Sequence, residues 1–145
     1  MSTESLRPEI RCAVEAAQNK QAADVTLLDL AELGAFTGAF LVCTGFSNRQ
    51  VQAISDEIEE QLARRGIRVL HREGYDTAEW VLLDFGGFIV HVFTERSRRF
   101  YDLERLWRAA RRTTFPDVGP TISTGAARVP PDSDPGSSMP GATQS

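Results

Sequence analysis

Lysine is almost missing from this 145-residue chain: Lys20 stands alone, and the other fifteen basic residues are arginines. We read this as a coding bias rather than a function. Cysteine is scarce as well. Cys12 and Cys43 sit among apolar neighbours and share no Cys-x-x-Cys spacing, which argues against zinc and for buried thiols in a reducing cytosol. The two histidines, His71 and His91, fall in different segments and in no HExxH pattern, so no histidine metal site is expected. There is no GxxxxGK[ST] and no GxGxxG to cradle a phosphate. No uncharged apolar run approaches the ~20 residues of a membrane span. Residues 1–8 carry Glu4 and Arg7 and lack the apolar stretch of a signal peptide.

Catalytic groupings are equally thin. Nucleotidyl transfer needs clustered carboxylates to hold a divalent metal, and Asp84 has no Asp-x-Asp around it. A Cys43–His91 pair is the one nucleophile arrangement on offer, but a cysteine inside an apolar strand is ordinarily inert. Gly45-Phe46-Ser47 precedes a helix and reads as a tight turn with a cap rather than an anion site. No cofactor is expected.

What is present is enough for one domain. The chain has 41% hydrophobic and 25% charged residues and a net charge of −4, so bulk charge does not drive it onto nucleic acid. The composition changes after Arg112. Residues 113–145 hold six prolines and one aromatic, too little apolar surface to offset ordering entropy. The expectation is a folded domain over 1–112 and a disordered tail over 113–145.

Apolar periodicity predicts a first helix over 8–22, strands over 24–30 and 40–44, and a helix opened by Ser47 with Gln50 three residues on. Val51, Ile54, Ile58 and Leu62 form its apolar stripe, and Gly66 ends it. A short strand is expected over 67–70. Residues 78–85 and 88–93 flank Gly86-Gly87, a strong two-residue hairpin signal. Pairing across that turn matches Leu83 with Val90 and Val81 with Val92 on a wholly apolar face. The other face matches Asp84 with Ile89, Leu82 with His91 and Trp80 with Phe93. Such a mixed face lies either under another helix or open to a partner. A last helix is expected over 97–112, with Phe100, Leu103 and Trp107 inward and Tyr101, Arg105, Arg108 and Arg112 on a neighbouring stripe. The fold class is therefore a single α/β (α+β) domain, a mixed sheet packed with helices.

Two groups of residues could meet a partner. Trp80 shares its face with Leu82, Asp84 and His91, and Trp and Tyr are frequent interface anchors; against this, an aromatic in a strand is a core residue by default. Arg96, Arg98 and Arg99 precede Phe100 and Tyr101, a combination that suits RNA as well as a solvated helix start. Asp56, Glu57, Glu59 and Glu60 read as a solvated helix face.

Six short blocks, in order, resemble the ribosomal silencing factor family, also called Iojap or RsfS. They are residues 24–30 (DVTLLDL), 44–54 (TGFSNRQVQAI), Glu73-Gly74, 80–86 (WVLLDFG), 90–93 (VHVF) and 99–107 (RFYDLERLW). The resemblance implies a non-enzymatic protein with a fold similar to nucleotidyltransferases but without their catalytic carboxylates. It implies binding to ribosomal protein number fourteen of the large subunit, so that the small subunit cannot join and translation falls under nutrient limitation. Some members are homodimers when free. Carried onto this chain, Trp80, Leu82 and Asp84 match the contact strand. Tyr101 and Arg99 match the start of the last helix, and an adjacent ribosomal RNA contact is compatible with them. Arg49 and Gln50 match the SxRQ block, where Gln50 already has a capping explanation, and His91 matches a position beside Trp80. The chain departs from the family at Gly38 and Ala39, where an acid and an aromatic are usual, and at Gly87, where Asp is common. A residual nucleotidyltransferase-type enzyme and a direct RNA-binding module are the alternatives to this reading. A cytoplasmic location is implied by the same resemblance and the missing leader.

Overall fold

A computed structural model describes residues 7–35 and 37–118. The elements are α1 (Pro8–Asn19), β1 (Ala23–Asp29), a 3-10 turn (Ala31–Leu33), β2 (Ala39–Gly45), α2 (Asn48–Arg64), β3 (His71–Glu73), β4 (Trp80–Asp84), β5 (Ile89–Thr94), α3 (Glu95–Tyr101), α4 (Leu103–Leu106) and β6 (Arg111–Thr114). The strands form one six-stranded sheet in the order β3-β4-β5-β2-β1-β6. Among the described residues only β2 and β5 run parallel; every other neighbouring pair is antiparallel. The expected α/β class stands, with one strand more than the sequence suggested.

Local chemistry explains most boundaries. Ser47 accepts the Gln50 backbone N–H at 3.0 Å and caps α2. The Gln50 side chain reaches back to the Phe46 N–H at 2.7 Å, one residue before the position that a standard capping box satisfies. Its amide also donates to the carbonyls of Lys20 and Gln21, tying α2 to the end of α1. The β4–β5 pairing is the expected one, from Trp80 opposite Phe93 to Asp84 opposite Ile89. Phe85 N–H closes the loop onto the Phe88 carbonyl at 3.0 Å.

Three expectations are corrected. The strand placed at 67–70 lies at His71–Glu73, with Leu70 only joining the ladder through its N–H to the Asp84 carbonyl. The single last helix is broken at Asp102, whose left-handed backbone (φ 49°) ends α3 and starts α4. Residues 111–114 are not its final turn but an edge strand beside β1. The boundary expected after Arg112 thus falls inside a strand, and the fold continues to buried Phe115 and to Asp117, whose carboxylate accepts the Asp24 N–H at 3.0 Å. The remainder of the expected tail, 119–145, lies outside the described residues.

The sheet has unequal faces. On one, α1 and α2 pack over Val25, Leu27, Leu41, Cys43, Val81, Leu83, Val90 and Val92. Both cysteines are buried there, and burial pushes the Cys43 thiol up to about 12. The other face carries a smaller cluster, including Leu28, Phe40, Val42, Ile89 and Phe93, roofed by Leu103 and Trp107.

Candidate functional site

The thinner roof leaves an opening over β4. Side chains two apart along a strand share a face, so Trp80, Leu82 and Asp84 stand in a row, all half-buried, beside Phe93, His91 and Ile89 of β5. Trp80 stacks on Phe93 with centroids 5.1 Å apart. Tyr101, at the end of α3, leans on the indole at a tilt, with centroids 4.5 Å apart, and lies 6.3 Å from the Phe93 ring. The sequence therefore anticipated a set that the fold does bring together: Trp80, Leu82, Asp84, His91 and Tyr101. Trp80 is neither a sealed core residue nor fully open. The first helix is on the far face and does not cover it.

His91 is the buried support of this row, only 3% exposed. Indole N–H can only donate. Trp80 Nε1 lies 3.0 Å from His91 Nδ1, so Nδ1 accepts and the proton sits on Nε2. Burial lowers the imidazole to about 4, which keeps it neutral and able to accept. Nε2 is buried without a hydrogen-bond partner among the described residues, and the Phe40 ring meets the imidazole edge-on at 4.5 Å.

Asp84 does local work as well. Its carboxylate accepts the Gly86 N–H at 2.8 Å and fixes the hairpin turn. Glu79 behaves similarly: one oxygen accepts from Thr94 and Ser97, both at 3.2 Å, and anchors α3 beside Trp80. Asn48 donates to the carbonyls of Thr77 and Ala78, holding the approach to β4. Of these supports Asn48 was given no role from the sequence; it is a polar residue next to a loop, with no pattern to mark it.

The expected basic trio divides. Arg98 is largely buried and donates to the Asp24 carbonyl (2.5 Å), Thr44 (3.0 Å) and Thr26 (3.3 Å), and pairs with Glu104. It fastens α3 and α4 to β1 and β2 and is not offered to a partner. Arg96 and Arg99 are exposed. Phe100, expected inward, is 78% exposed, and Leu106 is 72% exposed; the break at Asp102 rotates the stripe and leaves both beside Tyr101 on the surface. Arg49 is exposed on the first turn of α2, away from the Trp80 row, since α2 packs on the other face. The acids of α2 are not simply solvated. Asp56 accepts from Tyr75 and Glu59 from Arg72, and the Asp56 bond raises the Tyr75 hydroxyl above its ordinary value.

The departures at Gly38 and Gly87 are one place in space. Gly38 N–H donates to the Gly87 carbonyl at 3.3 Å, and the Arg7 guanidinium donates to the same oxygen at 3.1 Å. Ala39 begins β2 next to them, buried. They gather at the turn end of the hairpin, while Trp80 lies at the opposite end of β4.

Residues 3–138 match the family described as "Ribosomal silencing factor during starvation". The chain is 43% identical over 98 residues to the ribosomal silencing factor RsfS of Bacillus subtilis, covering 68% of this chain and 83% of that one. It is 32% identical over 102 residues to the chloroplastic protein Iojap of Zea mays, covering 70% of this chain and 44% of that protein. A crystal structure of a Chromobacterium violaceum protein superposes with a TM-score of 0.68 at 30% identity, covering 82% of this chain and 97% of that one.

Proposed function

The chain belongs to the ribosomal silencing factor family, a non-enzymatic family, and from that premise we propose that it binds the large ribosomal subunit through ribosomal protein number fourteen and keeps the small subunit from joining. The observation that supports this most is the half-roofed sheet face. Trp80 and Tyr101 lean against each other at its open edge, with Phe100 and Leu106 exposed alongside. A large aromatic that is packed on one side and open on the other loses little conformational entropy on binding and supplies much apolar area. Glu73 and Asp76 are exposed near this edge and would speed encounter with a basic ribosomal protein. Occupying that surface is a steric block; it needs no cofactor and no turnover. We place this activity in the cytoplasm under nutrient limitation. When the protein is free, a second copy covers the same face, and sedimentation velocity with and without large subunits would show the dimer giving way.

Pelleting of the protein with large subunits, small subunits and joined ribosomes tests the reading. Saturable binding to large subunits and little to joined ribosomes is expected. Tyr101→Ala, which removes an exposed ring, should weaken binding by about 2 kcal/mol, roughly thirtyfold. Unchanged affinity in both Tyr101→Ala and Trp80→Phe would move the contact off this face.

A further inference from the structure

Charge is unevenly distributed along this chain. The net charge is −4, yet residues 95–112 hold seven arginines against three acids. The fold bends that basic segment around itself. α3, the break at Asp102, α4 and β6 border an open cleft of about 640 Å³ beside the ends of β1 and β2. Arg99, Arg105, Arg108 and Arg112 line it, all exposed, and none of their four guanidinium groups is hydrogen-bonded or ion-paired to another described residue. Arg98 at the cleft floor is already committed to the fold, and it neutralises Glu104. Asp24, Glu95 and Asp102 are the remaining acids of the wall, so the surplus is positive but modest. The acids of α2 lie on the other side of the sheet, paired with neighbours of their own.

The cleft does not end at the arginines. Arg105, Arg108 and Asp102 also border an adjoining hollow of about 470 Å³, whose other walls include Phe100 and Tyr101. Guanidinium groups continuous with exposed aromatic rings are how proteins hold single-stranded nucleic acid, phosphates on the charges and bases on the rings. A compact anion would use the arginines alone; a continuous groove with an apolar extension suits a chain. We propose that this cleft holds the phosphodiester backbone of single-stranded RNA, with Arg105, Arg108 and Arg112 on phosphates and Phe100 under a base. The inference rests on the ribosome reading, in that ribosomal RNA is the RNA such a protein meets when it docks. It adds a second, electrostatic contact beside the aromatic one.

The test compares the full chain with Arg105→Gln/Arg108→Gln/Arg112→Gln and with a charge-matched control, Arg64→Gln/Arg65→Gln/Arg68→Gln, at and beyond the end of α2. Each is titrated onto large subunits and onto a labelled 12-nucleotide single-stranded RNA over a range of salt. The cleft variant should lose about tenfold in affinity on both, with the log–log salt slope shallower by about 2, as expected for up to three lost phosphate contacts; the control should match the parent. Phe100→Ala should weaken RNA binding and leave the salt slope unchanged. If the parent binds large subunits and the cleft variant binds them with the same affinity and slope, the RNA assignment falls and the ribosome reading stands. If the parent binds the RNA through these arginines but no subunit, the cleft stands and the ribosome reading falls. Binding to neither overturns both. Saturable binding of ATP with no binding of the RNA would give the cleft to a free nucleotide and overturn the assignment to RNA.

Discussion

Trp80 and His91 act as a pair, and the pair makes the site sensitive to acid. In the folded chain the imidazole is held neutral, at about 4 against an ordinary 6.5. Unfolding exposes it to water. Between pH 6.5 and 4 the unfolded chain therefore binds more protons than the folded one, and stability falls as pH falls. The whole effect is roughly 3 kcal/mol, absent above pH 6.5 and complete below pH 4. Thermal unfolding at pH 7.5 and 4.5 should show this loss, and His91→Gln should reduce it, because Gln still offers Trp80 an acceptor and does not titrate. A parent and a variant with equal pH dependence would place the acid sensitivity elsewhere. Gly74 sets a different residue-scale limit. Its φ is +82°, and a Cβ there would stand 2.1 Å from the Trp80 carbonyl oxygen. Gly66, at the end of α2, has φ +81° but open space around it. Gly66→Ala should then cost about 1 kcal/mol for the left-handed backbone alone. Gly74→Ala should cost more than about 3 kcal/mol and shift the start of β4, as strain and collision add. Urea unfolding of the two variants side by side measures the difference.

At the scale of elements, Arg98 decides where the third helix sits. It is the one charged group among the described residues that reaches from α3 to β1, β2 and α4 together. Arg98→Ala leaves Glu104 unpaired in a partly closed setting, and a loss of about 3 kcal/mol is expected from equilibrium unfolding. Tyr101 should become mobile with it, so subunit binding should fall even where the chain is still folded. The elements also show which parts of the fold were legible. The β4–β5 hairpin was readable to the residue pair, because a two-residue glycine turn fixes register and strict alternation fixes the faces. That register alone assembled Trp80, Leu82, Asp84 and His91. Helix α2 was readable for a similar reason, a cap at one end and a glycine at the other. The last helix was not. Leu103 and Trp107 fit helical spacing with Phe100, and nothing short of the tertiary contacts of Arg98 shows that Asp102 turns left-handed. Strand β6 carried no signal either. As an edge strand it pairs on one side only and keeps Arg111, Arg112 and Thr114 exposed, so its sequence has no apolar alternation to read. The Tyr101 position was legible through resemblance; the open Phe100 beside it depended on the break.

For the molecule as a whole, β6 decides where the folded unit ends. Composition put the edge after Arg112, since prolines, glycines, serines and threonines dominate the residues beyond it. Yet Thr113 and Thr114 pair with Leu27 and Thr26, Phe115 is buried against the α1–α2 face of the sheet, and its N–H donates to the Val25 carbonyl at 2.9 Å. Asp117 then ties off the Asp24 N–H, and Gln18 donates to the Pro116 carbonyl. One aromatic in a polar, proline-rich stretch is weak in any composition average, but it seals the core where α1 meets β1. Two truncations separate the two boundaries. A chain ending at Val118 keeps the Phe115, Pro116 and Asp117 contacts, and its Tm should match that of the full chain. A chain ending at Arg112 loses the Phe115 ring, half of β6 and the Asp117 bond. Loss of a buried Phe alone costs about 3 kcal/mol or more, which in a domain of this size is a fall in Tm of at least about 10 °C. The shorter chain should also bind large subunits less well, since β6 forms one wall of the arginine cleft. Equal Tm for the two truncations would return the boundary to Arg112 and make the strand an ornament of the sheet; a fall in the longer one would mean that residues beyond Val118 contribute to stability.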